Sequence, residues 1–201
     1  MSVFDSIASI YGLFYRYQVN TFTRMISKFS HHIELSHHST ILDVGCGTGA
    51  LCATLASLGC DVTGIDSSRK MIDVAVKKTK KYNITFDIAD ATQSLPYKDK
   101  EFDIVFASFV VHGMNKEMRI AMYKELMRVA TSYVVIHDYN QKRTLITDIL
   151  ETLEKGDYFS FIKEVDAELH DFFPCINTIN VGKTSHWYIC SCNKTKTVGK
   201  Q

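Results

Sequence analysis

The 201-residue chain is short of nearly everything that marks an unusual protein. It has only two prolines, no Gly/Ser-rich stretch and no internal repeat, which excludes linker-joined modules and solenoid arrays and leaves one continuous domain over residues 1–201. It lacks an excess of either charge: the formal net charge is +1. Binding to a phosphate backbone rests on a basic stripe, so nucleic acid is not expected as the main partner. The lysines at 77, 78, 80 and 81 and those of the tail from Lys194 read as a solvated helix face and a frayed end. No apolar run approaches the ~20 residues of a membrane span. Residues Met1 to Ser6 lack the basic stretch and apolar core of a secretory signal, so a cytoplasmic protein without membrane contact is expected. The six cysteines form no C-x-x-C pair, and Cys190 and Cys192 have no partners at zinc spacing. Reduced, packed thiols and no metal site are expected. Nothing in the composition sets an oligomeric state.

What is present is an alternating pattern. From Val3 to about Phe29 a stripe of Phe4, Ile7, Ile10, Phe14, Tyr17 and Phe22 predicts helix, and residues 1–38 read as a helical cap ending in a linker with His31, His32, His37 and His38. Over 39–138 short β-rich runs (Thr40–Val44, Asp61–Ile65, Ile84–Asp87, Phe102–Ala107, Ser132–His137) alternate with helical stretches (Thr48–Leu58, Arg69–Lys81, Lys116–Val129). Such alternation predicts an α/β fold: a doubly wound, Rossmann-like, mostly parallel sheet with helices on both faces. Residues 139–192 add helical signals over Lys142–Leu153 and Asp157–Phe172. An antiparallel hairpin of Ile176–Val181 and His186–Cys192 follows, and 193–201 read as a flexible tail.

The most informative segment is Ile41 to Ala50, with Asp43, Gly45, Gly47 and Gly49. Glycines directly after a buried strand let the backbone turn tightly and approach a ligand, and the following helix directs N–H groups at it. Gly45-x-Gly47-x-x-Ala50 also satisfies the dinucleotide pattern, and Asp66 falls about 20 residues beyond the turn, where either class of cofactor offers ribose hydroxyls. Asp43 separates the two. A carboxylate beside the turn repels the pyrophosphate of a nicotinamide or flavin cofactor and attracts the ammonium and sulfonium of S-adenosylmethionine.

Leu42-Asp-Val-Gly-Cys-Gly-Thr-Gly49 resembles motif I of the class I S-adenosylmethionine-dependent methyltransferases, and the likeness extends from Ser39 to Asp138. It implies a seven-stranded sheet, six strands parallel and the last antiparallel. It also implies that Asp43, Gly45, Cys46, Gly47 and Gly49 form the cofactor loop and that Asp66, followed by Ser67 and Met71, binds ribose. Asp90 and Ala91, before Leu95-Pro-Tyr97, would bind adenine, and Ser108 would lie in the stretch lining the active site. The wider resemblance is to small methyltransferases near the ubiquinone/menaquinone-biosynthesis type; their N-terminal helix often carries Tyr-Asp, where this chain has Tyr11-Gly12.

His112 and His137 fall just past the fourth strand and at the end of the fifth, on the ligand-bearing edge. Each is a candidate proton acceptor or a pocket-shaping side chain. Tyr11 and Tyr15 are candidates to cover the cofactor and face its sulfonium, or to pack as core. Ala107-Ser-Phe-Val110 is not the Asn/Asp-Pro-Pro-aromatic signature of exocyclic-amine methylation, no Pro-Cys nucleophile is present, and no acidic metal cluster is evident. A small-molecule acceptor is expected. A protein or RNA acceptor, a non-catalytic S-adenosylmethionine-binding module and, less compatibly with Asp43, a nicotinamide enzyme remain as alternatives.

Overall fold

The computed structural model describes residues 14–140 and 158–193. Helix α1 (Tyr15–Phe29) runs into a 3-10 turn at Ser30–Ile33, which takes up His31 and His32. Five strands and three helices follow: β1 (Thr40–Val44), α2 (Ala50–Ser57), β2 (Asp61–Asp66), α3 (Arg69–Lys78), β3 (Ile84–Ile88), β4 (Phe102–Ser108), α4 (Lys116–Val129) and β5 (Ala130–Tyr139). Helix α5 (Tyr158–Phe172) and strands β6 (Cys175–Asn180) and β7 (Ser185–Ser191) complete the described chain. The expected helix over Lys142–Leu153, the residue Tyr11 and the tail from Lys194 lie outside the described residues.

The seven strands lie in the order β3-β2-β1-β4-β5-β7-β6. Neighbours from β3 to β5 pair in parallel, while β7 runs antiparallel to both β5 and β6. Six strands therefore share one direction and β7 alone opposes them. The order reverses between β1 and β4, so the crevice at the carboxyl ends of these strands is the expected ligand site. One face packs Leu42, Val105, Met122 and Phe161, and the other packs Ile26, Leu55, Phe106 and Trp187.

Local chemistry explains the boundaries. Ser68 caps α3 by accepting from the Met71 N–H at 3.3 Å, and Asn115 caps α4 through the Met118 N–H at 2.9 Å. Helix α2 begins at Ala50 rather than Thr48 because Gly49 is still left-handed at φ 73°. Helix α3 stops at Lys78, where the Thr79 hydroxyl turns back to the Ala75 carbonyl at 2.9 Å. Strand β5 extends two residues beyond His137, which brings Asp138 and Tyr139 into the sheet. All six cysteines are free thiols. Among the described residues no helix is long and apolar enough to cross a membrane.

Candidate active site

The loop after β1 is built around glycine. Gly45 has φ +67°, and a Cβ there would come within 2.4 Å of Val110 Cγ2, so a bare backbone is required twice over. Gly47, at φ +52°, has nothing within 4 Å of its would-be Cβ and faces open space at the crevice. The Cys46 N–H bonds the Ile65 carbonyl at 2.9 Å, tying the loop to β2. Asp66 completes the join: its carboxylate accepts from the Gly47 N–H at 3.0 Å and the Ser68 N–H at 2.8 Å.

Asp43 lies beneath this loop, only 1% exposed, and accepts from the Cys52 thiol at 3.1 Å. Burial pushes its carboxyl up to about 7; the thiol hydrogen bond works against this shift and the nearby Asp66 charge adds to it. Helix α1 rests on the loop through the Thr48 hydroxyl, which donates to Gln18 Oε1 at 2.8 Å. Tyr15 is half-buried with the Lys78 ammonium 5.7 Å from its ring centre, so the cation beside it is a lysine of α3. Burial, with Tyr82 and Cys52 nearby, pushes its phenol up to about 12.

The other residues singled out from sequence divide by exposure. Ser67 and Asp90 are exposed, whereas Met71 and the Ala91 side chain are buried. Asp90 Oδ1 accepts from both the N–H and the hydroxyl of Thr92, a turn that fixes the loop after β3. Arg128 and Glu125 of α4 hold the continuation of that loop: the guanidinium bonds the carbonyls of Leu95 and Tyr97, and Glu125 accepts from the Leu95 N–H at 2.7 Å. Sequence reading missed this clamp, since its partners lie about 30 residues apart.

The two candidate histidines sit on opposite faces of the sheet. His112, in a 3-10 turn at Val111–Gly113, donates from Nδ1 to Asp138 Oδ1 at 2.7 Å. Asp138 is fully buried and also accepts from the N–H groups of Val111, His112 and Tyr139 at 3.1, 3.2 and 2.8 Å. His137, one residue earlier, points the other way, toward Phe22 of α1. Burial holds its imidazole down at about 4, with Asp138 opposing the shift, so His137 is neutral at pH 7. Its Nδ1, the Ser108 hydroxyl and the Trp187 indole nitrogen are buried without a hydrogen-bond partner among the described residues. Register places these three residues side by side on β4, β5 and β7. Such a row of unmet polar atoms at a ligand edge fits a place where a bound molecule supplies the partners.

Aromatic rings join the two faces. Phe22 meets His137 at 6.1 Å between centroids, His137 meets Phe109 at 4.5 Å, Phe109 meets Tyr139 at 5.2 Å, and Tyr139 meets His112 at 4.8 Å. Phe109 was not legible as a site residue, because its left-handed φ of 56° and its 42% exposure arise only where β4 ends. Asp138 did carry a signal, a lone acid closing a buried strand. Among the described residues no group of three or more His, Cys, Asp or Glu side chains could hold a metal ion.

The methyltransferase domain family matches residues 41–132, the span from β1 into β5. A demethylmenaquinone methyltransferase of Tropheryma whipplei is 40% identical over 76 residues, 37% of this chain and 31% of that protein. A ubiquinone biosynthesis O-methyltransferase of Bartonella tribocorum is 32% identical over 142 residues, 66% of this chain and 57% of that protein. Over this segment the chain is similar in sequence to methyltransferases, and in fold it resembles S-adenosylmethionine-dependent ones. It spans less than two thirds of the length of these curated relatives. Solved structures share the fold. A SAM-dependent methyltransferase from Aquifex aeolicus superposes with TM-score 0.65 at 23% identity, covering 83% of this chain and 89% of that one. Magnesium protoporphyrin IX methyltransferase from Synechocystis, solved with bound S-adenosylhomocysteine, gives 0.61 at 20%, covering 86% and 81%. The glycine cradle over a buried carboxylate in this chain fits the cationic methionyl end of S-adenosylmethionine, whose product is bound in the Synechocystis structure. The α5 helix and the β6–β7 hairpin lie beyond the matched segment and join the fold through the sheet order.

Proposed function

We propose that this chain transfers the methyl group of S-adenosylmethionine to a small organic acceptor. The observation that carries the reading is the buried Asp43 carboxylate under an open glycine cradle at the sheet's switch point. Asp43 faces the cofactor ammonium by charge, and the backbone of Gly45, Cys46, Gly47 and Gly49 lets the methionyl part approach. Asp66 receives the ribose hydroxyls, with Ser67 and Met71 beside it. Asp90 and Ala91 border the adenine, and Ser108 lies toward the methionyl end. Tyr15, with Tyr11 ahead of it, flanks the cofactor side of α1, while His112 and His137 border the acceptor.

The cofactor supplies an activated methyl on a cationic sulfur. The protein's task is alignment, which can contribute about 7–11 kcal/mol. Relatives named for quinone biosynthesis, and a Papaver bracteatum enzyme named as a probable (S)-tetrahydroprotoberberine N-methyltransferase that is 28% identical over 132 residues, support a small-molecule acceptor.

Thermal unfolding tests the reading. S-adenosylhomocysteine should raise Tm, by linkage to the native state, while NAD and NADP should not. Asp66→Ala should weaken S-adenosylhomocysteine binding by about 1.5–3 kcal/mol, since ribose loses a charged acceptor. Stabilisation by NAD with none by S-adenosylhomocysteine overturns the proposal.

A further inference from the structure

Three polar atoms on one face of the sheet are buried and unmet among the described residues: the Ser108 hydroxyl, His137 Nδ1 and Trp187 Nε1. Trp187 has no exposed surface, and His137 is 3% exposed. Ser108 pairs with His137 across β4 and β5, and His137 pairs with Trp187 across β5 and β7, so the three side chains leave the sheet on the same side. A buried polar atom left unmet is destabilising, and three in one register row mark a place built for a molecule that meets them.

The row runs away from the glycine loop. Neighbouring strands stand about 4.8 Å apart, so Trp187 on β7 lies roughly 14 Å from β1, three strands over. That distance puts the indole on the acceptor's side of the site and leaves only Ser108, on β4 beside β1, next to the methionyl end.

The chemistry of the three atoms selects the group that binds. An indole nitrogen donates and never accepts, so the atom facing Trp187 is an acceptor. The Ser108 hydroxyl can turn to donate to the same group, and a neutral imidazole offers Nδ1 as a donor in one of its two tautomers. None of the three is charged, since the His137 imidazole is neutral at pH 7. Phe22 and Phe109 both pack on the His137 ring, and the buried Asp138 carboxylate is the next residue along β5. An anion entering here exchanges water for neutral donors, among apolar rings and near a negative charge, which is unfavourable. An uncharged carbonyl oxygen gives up much less hydration and accepts two hydrogen bonds. Phe109 marks the way in: its N–H bonds the His137 carbonyl at 2.8 Å, and its left-handed backbone leaves the ring 42% exposed. A flat molecule can stack on that ring with its polar end directed at the row.

We propose that Ser108, His137 and Trp187 form the specificity-determining end of the acceptor site, and that the acceptor presents to them the uncharged carbonyl oxygen of a flat ring compound. This deepens the methyltransferase reading above and rests on it. The row binds and orients; no bond is made or broken there.

The chain has a single tryptophan, so its indole N–H gives one cross-peak in a 15N-correlated NMR spectrum and reports on this row directly. In protein saturated with S-adenosylhomocysteine, titration with 1-indanone or acetophenone should move that peak downfield in the proton dimension as the new hydrogen bond forms. Indane, the same ring system without the oxygen, and benzoate, an anion, should leave it in place. Ser108→Ala should weaken 1-indanone binding by about fivefold, as expected for one neutral hydrogen bond. Trp187→Phe, which keeps an aromatic ring against Phe29 and Phe106, should weaken it similarly in a ligand-observed titration. S-adenosylhomocysteine affinity within about threefold of wild type shows that Trp187→Phe keeps its fold, and the smaller change Ser108→Ala answers the question if it does not. A peak unmoved by both ketones, a peak moved as readily by indane or benzoate, or unchanged 1-indanone binding in Ser108→Ala overturns the proposal. Absence of S-adenosylhomocysteine binding in the wild type fails the parent reading instead, and the ketone titration of the free protein still reads the row.

Discussion

Asp43 is half-titrated near neutral pH, because burial pushes its carboxyl up to about 7 and the Cys52 thiol only partly relieves it. A cation arriving above that carboxylate favours the ionised form, so binding of S-adenosylhomocysteine through its ammonium should release a proton. Affinity should therefore fall as pH drops below about 7, by up to about tenfold per unit, and level off above it. Calorimetry in buffers of different ionisation heat measures the proton directly. Asp43→Asn should bind weakly and without this linkage. Equal affinity at about pH 5.5 and 7.5 in the wild type would show that the ammonium docks elsewhere.

Among the elements, α5 is held by a buried ion pair that no local pattern announces. Arg119 of α4 has no exposed surface, and it grips Glu168 of α5 in a bidentate pair at 2.9 and 2.7 Å. It also bonds Glu164 at 3.1 Å and the Met114 carbonyl at 2.9 Å. Glu168 is 4% exposed, whereas the Glu164 side chain is 44% exposed, and the two should differ accordingly. Glu168→Gln leaves a buried guanidinium poorly compensated and should cost about 3–5 kcal/mol in urea denaturation. Glu164→Gln should cost about 0–1 kcal/mol. Equal losses would mean that solvent reaches both pairs. Because α5 also packs on the 3-10 turn that carries His112, weakening this joint should loosen that turn before the glycine loop.

For the whole molecule, Asp43 and His137 pull stability in opposite directions with pH. His137 titrates near 4 in the folded protein against an ordinary value of 6.5, so the native state binds fewer protons in that window and loses stability as pH falls through it. Asp43 titrates near 7 against an ordinary 3.8, so the native state binds more protons and gains stability as pH falls from 7 toward 4. Each slope is about 1.4 kcal/mol per pH unit, and they nearly cancel between about pH 4 and 6.5. Removing one exposes the other. His137→Phe, whose ring can pack between Phe22 and Phe109, should gain stability from about pH 7 to 5, while Asp43→Asn should lose it. The two variants should diverge by about 2–4 kcal/mol in chemical denaturation over that range, and parallel curves would refute the assignment.

The residues of this chain determine the order of its strands and helices and the glycine loop on their own, because both are local. Period-two and period-3.6 apolar patterns, the caps Ser68 and Asn115, and glycines with an acid at fixed spacing need no distant partner to be read. Tertiary structure decided what depends on contacts across the chain. It set β7 between β5 and β6, since a hairpin pattern carries no information about which strand it joins. It carried β5 on to Tyr139, where pairing with β7 continues the ladder, and thereby placed Asp138 against a histidine 26 residues away. It also turned His112 and His137 to opposite faces: His137 occupies a strand position that points at α1, and His112 lies in a turn that folds back onto Asp138. Spacing put both histidines on the same edge, but only the pleat and the packed helices determined which one meets a carboxylate and which is buried neutral.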